Sequence, residues 1–138
     1  MSEQQKSVKL GEIIQEFNLE ILRTAPDYEN VPLRALDINR PGLPLTGFFE
    51  HFDTERLLLI GLTEHTYLSD LTPEQRRERF DHLLAYPVPA LILTRGLEAY
   101  PECLEMADKH GRTVLRSTQR TAVFMSSLIS SLYSHLAP

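Results

Sequence analysis

The run Ala90-Leu-Ile-Leu-Thr94 carries no polar alternation, the pattern of a strand buried on both faces. Thr94-Arg95-Gly96 breaks it, and Pro101 stands where the first turn of a helix would begin. Strand, sharp turn, helix is the repeating unit of an α/β layer. Around that unit the chain reads as follows. Leu10, Ile13, Ile14 and Phe17 share one face of a helix over Lys9–Phe17 that Ser7 can cap, with Asn18 as a left-handed stop. Leu19–Leu22 alternates like a short strand, Pro26–Asn30 has turn chemistry, and Val31–Ile38 predicts a second strand. Pro41-Gly42 forces a turn, followed by Leu45, Phe48 and Phe49 in a short helix or tight loop.

Arg56–Gly61 predicts a third strand, and Thr63 can cap a short helix through Asp70. Thr72-Pro73 with Gln75 is a strong helix start, a cap with proline at the first position and a capping-box partner; that helix runs to about Tyr86. Pro101–His110 is the next helix, ended by Gly111, and Thr113–Arg116 a short strand. Over Gln119–Leu136 the residues Met125, Leu128, Ile129, Leu132 and Leu136 share one helix face, and serines occupy the other. The expected fold is α/β, a single layered domain with a mostly parallel central sheet flanked by helices, preceded by a frayed polar segment at 1–6.

Composition narrows the function. At 138 residues the chain has one domain's length, enough for a real core. Its formal net charge of −5 argues against nucleic acid as partner. No apolar run approaches the roughly 20 residues of a membrane span, and Met1–Ser7 is no signal peptide, so a cytoplasmic location is expected. A single cysteine, Cys103, excludes an intrachain disulfide and reads as a half-buried helix residue. The histidines show no metal-ligand spacing. Arg76, Arg77 and Arg79 alternate with Glu74, Glu78 and Asp81, as on a solvated helix face with local ion pairs.

In open α/β sheets ligands gather past the carboxyl ends of the strands. Thr94, Arg95, Gly96 and Glu98 are therefore candidate ligand-binding residues, with Asp37, Asn39 and Arg40 at a second strand end facing the same crevice. Arg95 has two readings, an anion held by free N–H groups at the helix start, or a clasp to Glu98 or Glu102. Gly42–Gly47 has the glycine spacing of a phosphate loop, but Phe48-Phe49 replace the required Lys and Ser or Thr, and Pro44 lacks an N–H. The chain's three lysines, Lys6, Lys9 and Lys109, lie outside glycine-rich loops. No catalytic residue, metal or cofactor is assigned to this chain.

Asp37-Ile-Asn-Arg-Pro-Gly-Leu43 with Gly47-Phe-Phe49, Glu55-Arg56 leading to Ile60-Gly-Leu-Thr-Glu64, and Pro89–Glu98 together resemble, in order and spacing, the N-terminal domain of bacterial HPr kinase/phosphorylase. The resemblance spans nearly the whole chain. It implies that 7–138 is that domain, similar in fold to the N-terminal domain of Mur ligases. It also implies a parent that uses ATP or pyrophosphate and Mg²⁺ to phosphorylate, and by phosphorolysis dephosphorylate, a serine of HPr, the phosphocarrier of the sugar phosphotransferase system, in control of carbon catabolism. Such a parent is a cytoplasmic homohexamer with its phosphate loop in a C-terminal catalytic domain. That half has no counterpart here, so the expectation is an excised or lone module whose partners are the catalytic domain, HPr and further copies of itself. The alternative expectation is a stand-alone nucleotide- or sugar-phosphate-binding regulatory module.

Overall fold

The structure, a computed structural model, describes residues 6–35, 38–39 and 55–137. Its elements in chain order are β1 (Val8–Lys9), α1 (Leu10–Glu16), β2 (Glu20–Arg23), a 3₁₀ turn (Tyr28–Asn30), β3 (Pro32–Leu33), β4 (Ile38–Asn39) and β5 (Leu57–Ile60). Then come α2 (Leu62–Ser69), α3 (Pro73–Leu84), β6 (Leu91–Leu93), α4 (Pro101–His110), β7 (Val114–Arg116) and α5 (Thr121–Leu136).

Five strands form the central sheet in the order β2-β7-β6-β5-β4. The pairs from β4 to β7 are parallel, and β2 closes one edge antiparallel to β7 with a register shift between Ile21 and Arg23. Leu58 sits beside Leu91, and Leu91 beside Val114, so the central strands are in register. Period-two alternation then sends side chains to two cores. Leu58, Ile60, Leu91, Leu93 and Val114 meet Leu68 of α2, Phe80, Leu83 and Leu84 of α3, and Cys103, Met106 and Ala107 of α4. Leu57, Leu59, Ala90, Ile92 and Leu115 meet Leu10 and Ile13 of α1 and Phe124, Leu128 and Leu132 of α5. Both faces are covered, which is why these strands read as unbroken apolar runs. Each fully buried side chain of this size contributes about 1.5–3 kcal/mol.

The helix boundaries have local causes. Thr72 accepts a bond from Gln75 N–H while the Gln75 side chain accepts from Thr72 N–H, and Pro73 takes the first position of α3. Gly111, at φ +66°, ends α4, and Asn18, at φ +51°, follows α1. Four expectations are corrected. The cap of α1 is Lys9, not Ser7. The cap of α2 is Gly61, whose N–H donates to Glu64 Oε1 at 2.8 Å, not Thr63. Val31–Ile38 is not one strand: β3 pairs antiparallel with β1 in a separate ribbon, and β4 joins the main sheet. Proline cannot donate to a ladder, which suits Pro32 to that two-stranded ribbon. Cys103 is fully rather than half buried. The expected features at Pro41–Phe49 lie outside the described residues.

Candidate functional site

The carboxyl ends of β5, β6 and β7 meet at one rim. Thr94 is fully buried there; its N–H donates to the Ile60 carbonyl at 3.1 Å, and its hydroxyl lies 2.7 Å from that of Thr121. Thr94 therefore ties β6 to β5 and to the start of α5. Arg95 and Gly96 follow at φ +58° and +64°, and Leu97 N–H closes the turn on the Thr94 carbonyl at 3.0 Å. The two left-handed residues make the corner sharp enough for the chain to turn back toward α4.

That corner is bonded to the segment after β7. Arg95 N–H donates to the Gln119 carbonyl at 2.8 Å, and Gly96 N–H to the Ser117 carbonyl at 2.9 Å. Ser117 N–H in turn donates to the Leu93 carbonyl at 2.7 Å. The loops after β6 and β7 depart toward opposite faces of the sheet, α4 on one side and α5 on the other. These bonds join them across the gap. Two N–H groups that an anion would need are thus already engaged. What the corner offers outward is the Arg95 side chain, which is exposed and, among the described residues, forms no ion pair with Glu98.

Glu98 contributes its backbone: its carbonyl accepts from His65 Nε2 at 2.9 Å, which fixes the proton on that nitrogen. The His65 ring stacks on Tyr100 with centroids 4.6 Å apart, and the Tyr100 hydroxyl donates to the His65 carbonyl at 2.8 Å. Burial holds the Tyr100 hydroxyl above its usual pKa. Arg76 lies over the same ring at 4.8 Å, and its Nε reaches Glu102 Oε1 at 2.6 Å. It also donates to the carbonyls of Leu68 and Leu71 at 3.2 and 2.7 Å. Glu102 is thus claimed by Arg76 rather than by Arg95, and Arg76 is a part-buried lock between helices rather than part of a solvated face. Arg116 donates to both carboxylate oxygens of Glu20, at 3.1 and 2.8 Å, and to the Leu97 carbonyl at 3.2 Å.

Sequence reasoning missed Gln119, Ser117, His65, Tyr100, Arg76 and Arg116 as parts of this rim, because the bonds join residues far apart in the chain. Asn39 stands in β4 beside Leu58, at the sheet edge; Asp37 and Arg40 lie outside the described residues, as does the 42–47 glycine spacing. Lys109 pairs with Asp81 and Lys6 donates to the Ala137 carbonyl, so neither is arranged as a triphosphate cradle. Among the described residues no three His, Cys, Asp or Glu side chains gather as metal ligands. Burial pushes the Cys103 thiol up to about 12, which removes it as a nucleophile. Among the described residues, an open depression of about 430 Å³ lies against α1 and the 3₁₀ turn, lined by Lys9, Glu12 and Tyr28. Another of about 390 Å³ lies against Pro87, Pro89, Arg34 and Arg112. Neither includes the corner at 94–98.

Comparison with known proteins matches residues 8–132 to the family described as "HPr Serine kinase N terminus". Proteins named HPr kinase/phosphorylase are similar throughout. The one from Clostridium perfringens (strain SM101 / Type A) is 38% identical over 131 residues, 95% of this chain and 42% of that protein. The one from Caldicellulosiruptor bescii is 40% identical over 129 residues, 94% of this chain and 42% of that protein. The chain thus spans under half the length of these relatives. Among solved structures, the CBS and DRTGG domains of the regulatory region of Clostridium perfringens pyrophosphatase, complexed with the activator diadenosine tetraphosphate, share the fold. The TM-score is 0.60 at 17% identity, over 90% of this chain and 46% of that one.

Proposed function

The chain belongs to the family of HPr serine kinase N-terminal domains, and from that membership we propose that it is the non-catalytic N-terminal domain of a bifunctional HPr kinase/phosphorylase. The observation that carries the reading is 38–40% identity along nearly the whole chain to proteins of that name. The whole enzyme, in this reading, uses ATP or pyrophosphate with Mg²⁺ to add phosphate to a serine of HPr and remove it, and works in the cytoplasm as a hexamer. In this reading the domain orients, regulates or contacts partners, and the chemistry belongs to the rest of the enzyme. The regulatory region that shares its fold supports that division of labour.

The test is direct. The 138-residue protein, given HPr, ATP and Mg²⁺, or phosphoseryl-HPr and pyrophosphate, transfers and removes no phosphate. Exchanged for the matching domain of the Caldicellulosiruptor bescii relative, it leaves both activities in place. Transfer by the isolated chain overturns the non-catalytic role, and loss of both activities in the folded exchange overturns the placement.

One observation favours a second reading, a stand-alone regulatory module for nucleotides or sugar phosphates at the rim carrying Thr94–Glu98. Arg95 is held in a left-handed conformation uncommon for a non-glycine residue, with its side chain outward. Calorimetry with uridine and adenine nucleotides and sugar phosphates, on wild type and Arg95→Gly, decides it: binding heat lost in the variant supports the module, and no heat in either removes it.

A further inference from the structure

We propose that the outward face of α5 is the docking surface for the polypeptide that follows this domain in HPr kinase/phosphorylases; the proposal rests on the reading above. Phe124, Leu128 and Leu132 fix the inward face of the helix in the core. The opposite face carries Val123, Ser126, Ser127, Ser130 and Tyr133, all exposed, Val123 at 52% and Tyr133 at 59%. Among the described residues, those two stand with Ile21 and Leu62 as the large apolar side chains left in solvent.

The other long helices provide the contrast. α3 and α4 turn charge outward, where Arg77 pairs with Glu105 and Lys109 with Asp81. From Thr121 to Ser134 the sequence has no Asp, Glu, Lys or Arg. A face without charges loses little solvation on contact, and its serines allow close approach of a second backbone while keeping hydroxyls for hydrogen bonds. Val123 and Tyr133, ten positions apart, bracket the serines as apolar anchors at either end.

The occupant follows from the family. The matched segment is the N terminus of these kinases and ends on α5, and it amounts to 42% of the relatives, so more than half of each relative comes after this helix. Lys6 donates to the Ala137 carbonyl and holds the exit of α5 against the domain. The following polypeptide therefore emerges beside the uncharged face, where tethering gives it a high effective concentration. Its complementary surface is neutral and apolar, with a hollow for Tyr133.

The test uses the buried state of Cys103, which leaves an introduced thiol as the reactive one in this chain. Ser130→Cys, and Glu74→Cys on the charged face of α3 as control, are labelled with a maleimide in the 138-residue protein and in the domain-exchanged Caldicellulosiruptor bescii enzyme. Labelling is located by peptide mass spectrometry. Docking makes Ser130→Cys react about tenfold or more slowly in the exchanged enzyme, since only the undocked fraction is open, and leaves Glu74→Cys unchanged. Equal rates at Ser130→Cys overturn the proposal. So does slow labelling of the 138-residue protein that speeds up on dilution, which makes the occupant a second copy. As a second measurement, Val123→Glu with Tyr133→Glu leaves the Tm of the 138-residue protein unchanged and lowers that of the exchanged enzyme; an equal effect on both also overturns it. An exchanged enzyme that acts on HPr while Ser130→Cys stays open refutes the docking surface alone. An inactive one with Ser130→Cys protected refutes the functional reading and keeps the surface.

Discussion

Arg76 Nε lies 2.6 Å from Glu102 Oε1, with only 15% and 9% of the two side chains left in solvent. The same guanidinium satisfies the carbonyls of Leu68 and Leu71 and covers Tyr100. One residue of α3 therefore closes the end of α2, holds α4, and backs the ring that supports His65.

Glu102→Gln is expected to cost about 2 kcal/mol, less than the roughly 3–5 kcal/mol of a fully buried broken pair, because Arg76 keeps two carbonyl acceptors. Arg76→Lys costs as much or more, since an ammonium cannot serve three acceptors in the plane of a fork. Urea unfolding of the two variants measures both. A loss under about 0.5 kcal/mol in each, the range of ordinary surface substitutions, would show that the pair is not a lock.

Asp81 gives a pH signature. The His110 ring, bonded at 2.7 Å, first, and the Lys109 ammonium at 3.0 Å second, hold its carboxyl below the usual range. The folded pKa is the depressed one, so this contribution is present above the unfolded value near pH 4 and is lost as pH falls through the folded value. Asp81→Asn should melt below wild type above about pH 5, and the gap should close as pH falls through the depressed folded value. Melting temperatures across that range check it; a gap that does not change with pH removes the electrostatic account.

Much of the fold was legible because its signals are local. Pro101–His110 ends on a glycine with positive φ, and Thr72-Pro73 with Gln75 carries its own cap. The apolar runs at 57–60 and 91–93 are buried on both faces, as their lack of alternation implies. Pairing was not legible. Nothing in Val31–Ile38 says that Leu33 faces Val8 in one sheet while Ile38 faces Leu57 in another. Periodicity placed Leu128 and Leu132 on the inward line of α5 and missed Phe124, which is fully buried, while Met125 and Ile129 stand at its margin. At the rim the corner itself could be read from Thr94-Arg95-Gly96. Its bonds to Ser117, Gln119 and His65 could not, since sequence does not show which carbonyl a loop N–H will meet.

Cys103 reports on the integrity of α4. Burial raises its thiol to about 12. Native protein at pH 8 is expected to show no reactive thiol to a chromogenic disulfide, and unfolded protein in urea one. Cys103→Ser should destabilise more than Cys103→Ala, by about 1 kcal/mol, because the hydroxyl is buried without a partner. Rapid native reaction would place the thiol at the surface.

Gly96 and Arg95 separate backbone strain from function at the rim. A Cβ at Gly96 meets nothing within 4 Å, yet φ is +64°. Gly96→Ala should therefore cost about 1 kcal/mol through conformation alone, with no clash to repair. Arg95, at φ +58°, is the opposite case: glycine there relieves the left-handed backbone, and the outward side chain leaves no core contact behind. The relief is offset by the extra freedom glycine gives the unfolded chain, so Arg95→Gly should hold stability within about 0.5 kcal/mol of wild type or raise it. Thermal unfolding of the two variants reads the contrast. A large loss in Arg95→Gly would mean that the arginine is structural rather than free for a ligand.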